Sequence, residues 1–225
     1  MSYQPAQFIQ IEDFLAPADR SDLLKYVLDR ENQFVSTTTS TGAIDYRKSQ
    51  ILYQFEAYEH WMIQKVASIV PSLLESWKIQ PFSISQIEIQ LTAHNDENYY
   101  KIHNDNGSED AANRILSYVY YFNREPKNFS GGALRIYDLN LENGFYVEAN
   151  SYQDIEPLNN SIVFFPSHLL HEVLPVVCRS RLFADSRFTL NGWIRREMSS
   201  QPHLAPPPQK NIKESVTNRR EIWLD

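Results

Sequence analysis

The sequence predicts a mainly β fold, a sandwich or barrel of short strands with helices flanking it on the N-terminal side. Three observations carry that expectation. From Phe82 onward, short runs of apolar or alternating residues recur between turn signals, the spacing of an antiparallel sandwich or barrel. The chain holds 13 Tyr and 12 Phe among its 225 residues, and aromatic side chains favour the pleated, half-buried surface of a sheet. Before residue 78, by contrast, apolar residues fall at helical spacing.

The elements follow in order. Residues 1–15 end in a short apolar alternation, FIQIEDFL. Pro17 then opens a helix, since Pro is tolerated in a first turn, and Leu23, Leu24, Val27 and Leu28 mark its apolar side. The polar run from Ser36 to Gly42 reads as a loop, and its Thr-rich part, 37–41, is either a plain loop or a lid over a substrate. A second helix is expected from about Glu56 to Trp77, interrupted near Pro71. Residues 82–92 (FSISQIEIQLT) alternate as a strand does, and Tyr99–Ile102 is also strand-like. Further strands are expected at Ile115–Phe122, Ala133–Tyr137, Gly144–Glu148, Ser161–Phe165, Glu172–Val177 and Arg187–Ile194. Turns lie at Asn106-Gly107, Gly131-Gly132, Asn143-Gly144, Asn159-Asn160 and Pro166-Ser167. These readings divide one structural domain into an N-terminal helical support layer (1–81), a β core (82–197) and a C-terminal extension (198–225). The extension turns to Pro, Gln, Asn and charge, and Ile222-Trp223-Leu224 is its one apolar anchor.

Composition excludes several classes. A net charge of -7 argues against a nucleic-acid partner, because phosphate contacts need clustered Lys and Arg. With 6 Gly no Gly-rich phosphate loop is expected. The single cysteine, Cys178, cannot form an internal disulfide, and no neighbouring base marks it as a nucleophile. No apolar run approaches the ~20 residues of a membrane helix, and the first residues lack a secretory pattern. The expectation is a cytoplasmic protein with no membrane partner. Its oligomeric state is not legible.

One constellation carries chemistry. His103-Asn104-Asp105 follows a strand-like run, and in an extended segment residues two apart share a face. His103 and Asp105 can therefore offer an imidazole and a carboxylate to one ion. His171 comes 66 residues after Asp105, opening a strand after the Pro166-Ser167 turn. Two His and one carboxylate with open positions form the facial triad of non-haem iron(II) oxygenases, although zinc hydrolases also use such a set. The last strand adds a second signal. Arg187 and Thr189 share one face, and a planar guanidinium beside a hydroxyl suits the far carboxylate of a 2-oxoglutarate cosubstrate. Phe188 and Leu190 point the other way.

The runs YYKIHND, RILSYVYYFN, FSGGALRIYD, SIVFFPSHLLHEVLPV and SRFTLNGW, in that order over about 86–195, resemble the prolyl-4-hydroxylase-like branch of the 2-oxoglutarate/iron(II)-dependent dioxygenases. The resemblance implies a double-stranded β-helix (jelly roll) supported by N-terminal helices. It implies Fe(II) held by His103, Asp105 and His171, and 2-oxoglutarate held by Arg187, Thr189 and Tyr121. His94 stands near the place where relatives put a cosubstrate-contacting Tyr, and it is equally readable as a solvated loop residue. In many relatives the basic residue follows the distal His by about ten positions. Arg181 has that spacing, 10 against 16 for Arg187. Strand phase favours Arg187, with RSRLFADS read as an inserted loop. The implied activity is hydroxylation of an unactivated C–H, with succinate and CO2 released and ascorbate as reductant. The carboxylate of Asp105 favours hydroxylation over halogenation. A peptidyl amino-acid side chain is the first choice of substrate, then a free amino acid or small metabolite. A non-catalytic β-barrel binding module is the competing class. His168, in the turn before His171, and Tyr100, as a pocket-lining residue, complete the candidates.

Overall fold

A computed structural model describes residues 2–37, 45–142 and 145–198. The Thr-rich stretch 38–41, the Asn143-Gly144 turn and the extension from 199 onward, with Ile222-Trp223-Leu224, lie outside the described residues. Two helices and fifteen strands are described. The first part of the chain holds β1 (Ser2–Gln4), β2 (Ile9–Ile11), α1 (Pro17–Leu28), β3 (Val35–Ser36), β4 (Arg47–Lys48), β5 (Gln50–Leu52) and α2 (Glu56–Ser76). Then come β6 (Ile84–His94), β7 (Tyr99–His103), β8 (Arg114–Phe122), β9 (Ser130–Gly131), β10 (Leu134–Glu142) and β11 (Phe145–Ile155). The last are β12 (Ser161–Pro166), β13 (His171–Val173), β14 (Val176–Val177) and β15 (Arg187–Arg196).

The larger sheet runs β2-β12-β8-β15-β6-β5-β3, and the smaller runs β1-β10-β13-β7-β4 with β11 added on β10. Every pairing is antiparallel. The β-rich jelly-roll expectation holds.

Side-chain alternation sorts the larger sheet into two faces. Leu116, Tyr118, Tyr120 and Phe122 of β8, with Phe188, Leu190 and Ile194 of β15, join a core with Leu23 and Val27 of α1 and Met62, Val66, Val70 and Leu73 of α2. The helices thus back the outer face. On the inner face Tyr121, Val163 and Phe165 pack against Leu134, Ile136 and Leu139 of the smaller sheet. A residue shifted by one position changes face, so Arg187, Thr189, Ser117, Thr92 and His94 all turn inward.

Several element readings need correction. Pro71 does not interrupt the second helix: α2 is continuous over 21 residues with Pro71 inside it. Proline there removes one backbone hydrogen bond, and the buried Val66, Val70, Leu73 and Leu74 around it hold the helix on the sheet. The run Glu172–Val177 is two strands, because Leu174-Pro175 leaves the ladder and the Pro175 carbonyl instead accepts from the Gly132 N–H at 3.1 Å. The strand read as Ala133–Tyr137 is the first part of β10, and the described part of the one read as Gly144–Glu148 is the first part of β11; the two strands pair as one longer hairpin. Residues before β6 also do more than supply helices, since β1 to β5 extend both sheets.

Candidate functional site

Strand register builds the site. In the smaller sheet His171 lies directly opposite His103, and a β-bulge follows, with Val173 opposite Tyr100. Bulges re-aim side chains. Here the bulge brings Tyr100 onto the His103 face, where the two rings stack at 3.7 Å between centroids. The His103 and His171 ring centroids are 4.2 Å apart. Asp105 is placed just beyond β7 by its own N–H, which donates to the Ser167 carbonyl at 3.0 Å. Its carboxylate lies 3.7 Å from His103 Nε2 through Oδ1 and 3.4 Å from His171 Nε2 through Oδ2. One ligand atom from each of the three residues falls within 4.8 Å of the others.

The ring tautomers are fixed by backbone. His103 Nδ1 sits 2.8 Å from the Lys101 carbonyl, and His171 Nδ1 sits 2.9 Å from the Leu169 carbonyl. A carbonyl only accepts, so both Nδ1 atoms carry the proton and both Nε2 lone pairs face Asp105. This is how metal-binding imidazoles are oriented. Burial, with the nearby His171, pushes the His103 pKa down to about 3, so the ring is neutral at ordinary pH. Burial alone would raise the Asp105 carboxyl, yet the imidazoles of His171 and His103 and a hydrogen bond from Ser117 outweigh it and leave its pKa below the usual value. Ser117 Oγ donates to Asp105 Oδ2 at 2.6 Å and is itself 3.0 Å from Ser167 Oγ. A divalent metal fits this set of two imidazole nitrogens and one ionised carboxylate.

A second group faces the triad from the inner surface of the larger sheet. β15 sets Arg187 opposite His94 of β6 and Thr189 opposite Tyr121 of β8. Arg187 is 2% exposed, and its guanidinium lies 4.8 Å from the Tyr121 ring centroid. Its Nε and both ring nitrogens of His94 are buried without a hydrogen-bond partner among the described residues, and the buried Tyr121 hydroxyl has only the Arg187 guanidinium beside it. Buried polar groups left unpartnered are rare and costly. The guanidinium, the Tyr121 hydroxyl and one N–H of the neutral His94 ring together form a cradle for an anion with several acceptors. Burial lowers the Arg187 pKa and, with the Arg187 and Arg47 cations, holds His94 well below the ordinary imidazole value. His94, readable from sequence as a loop residue, is the buried last residue of β6. The donors of this cradle suit one carboxylate of a dicarboxylate such as 2-oxoglutarate.

Thr189 faces inward beside Arg187, but its hydroxyl is already engaged. It lies 2.6 Å from Thr92 Oγ1 and 3.3 Å from Asn191 Oδ1. Arg181 lies apart, at positive φ in the loop after β14. Its side chain is 73% exposed and pairs with Asp96 at 2.9 Å. Among the described residues the two thus separate into a buried Arg187 without an ion-pair partner and an exposed, paired Arg181. His168 stays outside the triad, with its ring 5.6 Å from Tyr146. Cys178 is buried, its Sγ near the Ser180 hydroxyl and the Asp185 carbonyl, with no base beside it. An open groove of about 840 Å³ between the η-turn after α1 and the β6–β7 loop shares no residue with the triad or the cradle. Its cations Lys48 and Arg181 are paired with Glu97 and Asp96.

Sequence reasoning missed Ser117, Arg47 and the Arg114–Trp193 pair, in which the guanidinium lies 3.8 Å from the indole centroid. Ser117 had a signal: it is four residues before Tyr121 in one strand, hence on the same face. Arg47 had none, because a strand of two residues shows no period.

Comparison with known proteins bears on the family and the fold. The family model described as the 2OG-Fe(II) oxygenase superfamily matches residues 89–195. A PKHD-type hydroxylase from Synechocystis sp., itself uncharacterized, is 44% identical over 199 residues, which cover 88% of this chain and 66% of the relative. The chain therefore spans slightly less than two thirds of that relative's length. Among solved structures, a Trichoplax adhaerens prolyl hydroxylase in complex with a hypoxia inducible factor peptide fragment is similar at TM-score 0.61 and 22% identity, over 86% of this chain and 87% of that one. A Pseudomonas putida prolyl-4-hydroxylase is similar at TM-score 0.58 and 22% identity, over 86% and 94% of the two chains. At that identity these two structures speak for the fold alone.

Proposed function

We propose that the chain, whose residues 89–195 match the 2OG-Fe(II) oxygenase superfamily model and which is 44% identical to a PKHD-type hydroxylase, is a member of that superfamily: an iron(II)- and 2-oxoglutarate-dependent hydroxylase acting on an unactivated C–H, first of all in a peptidyl amino-acid side chain. The observation that carries the reading is the presence of two groups on the inner faces of the two sheets: a His103–Asp105–His171 set with His171 buried and the other two half-buried, and a buried Arg187 that forms no ion pair among the described residues. A zinc hydrolase needs the first group and has no use for the second. A binding module needs neither.

In this reading His103 and His171 hold the metal through Nε2, and Asp105 holds it through its carboxylate. Bound iron(II) with 2-oxoglutarate and dioxygen supplies the oxidation, in which the cosubstrate loses CO2 to give succinate and one oxygen atom enters the substrate C–H. Arg187 takes the far carboxylate of the cosubstrate through charge-assisted contacts. The Tyr121 hydroxyl and the His94 ring donate to the same molecule, which gives acceptors to donors that otherwise have none. Phe165, with its ring 4.7 Å from that of His171, keeps one side of the site apolar and dry, so each charge contact counts for more than in water. A peptidyl substrate is placed ahead of a free amino acid or small metabolite because the sequence resembles the prolyl-4-hydroxylase-like branch, and the similar Trichoplax protein was solved with a peptide fragment.

The test is succinate formation from 2-oxoglutarate in air. Slow, iron-dependent and ascorbate-supported turnover is expected even without substrate, and Asp105→Ala is expected to remove it. Succinate formed equally without iron, or undiminished in Asp105→Ala, would rule the reading out.

A further inference from the structure

A second cation stands near the metal ligands, and the proposed chemistry leaves it unused. Arg47 opens β4 and pairs opposite Tyr100 of β7. Cross-strand partners share a face, and Tyr100 stacks on the His103 ring. The Arg47 guanidinium lies 4.9 Å from the Tyr100 centroid, so Arg47, Tyr100 and His103 make one row on the face turned towards the site. Three residues later the chain has crossed to the other sheet, with Gln50 opposite Ala93. Arg47 therefore stands where the chain bridges the two sheets beside the metal ligands. Its charge bears on His94 and His103.

Arg47 is half-buried and has little to offset that burial. Its Nε donates to Ser49 Oγ at 3.0 Å. Among the described residues it forms no ion pair with a carboxylate, unlike Arg20, Arg114, Arg124, Arg135, Arg181 and Arg195. Burial lowers its pKa, while Tyr100, Asp105 and Tyr53 act against the lowering. Of these, the Asp105 carboxylate is committed to the metal. A desolvated cation without a partner is unfavourable until an anion arrives. On the proposed function both ends of the cosubstrate are already taken, one by the metal and the other by Arg187. The anion for Arg47 must come from the remaining occupant of the site.

We propose that Arg47 is a specificity-determining residue that binds a carboxylate of the substrate, so that the molecule oxidised is a peptide with Asp or Glu close to the hydroxylated residue. A planar guanidinium resting on an aromatic face keeps its edge free for a bidentate carboxylate. The same chemistry is offered by the α-carboxylate of a free amino acid. The proposal rests on the oxygenase reading.

The experiment reads binding rather than turnover. Under anaerobic conditions the visible band of the iron(II)–2-oxoglutarate complex is followed while probes are added. Two probes are blocked peptide pools of random sequence, one containing Asp and Glu and one with Asn and Gln in their place. Two more are pools of free amino acids and of their amides. The wild-type protein is expected to respond to the acidic peptide pool at a concentration at least tenfold lower than to its neutral counterpart. Arg47→Gln should lose that preference, and Arg47→Lys should keep part of it. Melting temperatures of both variants identify any loss of fold, and Arg47→Lys carries the comparison if Arg47→Gln does not fold. A preference confined to free acids over amides would overturn the peptide assignment. No preference in the wild type, or one kept in Arg47→Gln, would overturn the carboxylate role. A tenfold weaker cosubstrate complex in Arg47→Gln, with the peptide preference intact, would instead place Arg47 on the 2-oxo acid. If the wild type forms no band at all, the oxygenase reading itself fails.

Discussion

Arg187 and Arg181 differ by six positions, and every physical difference between them comes from strand phase. Arg187 begins β15 on its inner face, while Arg181 lies in a loop and pairs with Asp96. Removing one member of a buried charge pair costs about 3–5 kcal/mol. Arg187→Ala should therefore weaken 2-oxoglutarate binding a hundredfold or more, measured by calorimetry on the metal-loaded protein. Arg181→Ala should stay within about 0.5 kcal/mol of wild type, as surface changes do. The reverse ranking would move the anchor to Arg181. His94 gives a pH test. Its folded pKa lies well below the ordinary 6.5. Above 6.5 both folded and unfolded chains hold a neutral ring and nothing is lost. Below it the unfolded chain takes up a proton that the folded chain refuses, so stability falls as the pH drops. In the metal-free protein the midpoint in urea should fall below pH 6.5, and His94→Gln should flatten that slope. An unchanged slope would show that His94 does not stay neutral. At this scale the sequence was informative wherever residues two or four apart in a strand share a face. It was silent on Arg47 and on the engaged hydroxyl of Thr189, which depend on partners from other strands.

Gly132 shows how an element supports a residue it does not adjoin in sequence. It has φ +70°, and a Cβ there would come within 2.8 Å of Arg187 Cδ. Its neighbour Gly131, at φ +68°, would place a Cβ 2.4 Å from the Pro175 carbonyl oxygen. The pair was legible as a turn, but its role in making room for Arg187 was not, because the approach spans 55 positions. Gly132→Ala should cost about 1–3 kcal/mol of stability, from left-handed backbone strain and crowding, and should also weaken 2-oxoglutarate binding. A variant that melts lower yet binds the cosubstrate normally would separate the turn from the pocket. Strand ends were the weakest part of the reading. The outer half of β10–β11 contains Asp138, whose carboxylate is held by the Ala6 N–H at 2.7 Å and by the hydroxyls of Tyr3 and Ser151. A buried acid with partners from the first strand region leaves no local periodic signal. The helix through Pro71 was misjudged for the complementary reason, since packing on the sheet decides its continuity and local propensity does not.

Over the whole molecule, two apolar layers lie on either side of the larger sheet, and the polar row of the site occupies part of its inner face. Among the described residues no helix is long and apolar enough to cross a membrane. On the proposed function metal and cosubstrate bind the folded chain and not the unfolded one, and would stabilise it by mass action, about 2.7 kcal/mol at a hundredfold excess over Kd. For a chain of this size that is a rise in Tm of roughly 5–10 °C. Manganese(II) with 2-oxoglutarate should produce it in the wild type, and Asp105→Ala should not show it. The most direct test of the site is a crystal structure with manganese(II) and 2-oxoglutarate, the metal located by anomalous scattering. The metal is expected at roughly 2.0–2.2 Å from His103 Nε2, the Asp105 carboxylate and His171 Nε2, with the far carboxylate of the cosubstrate on Arg187. A metal bound elsewhere, or a cosubstrate whose far carboxylate does not reach Arg187, would contradict it.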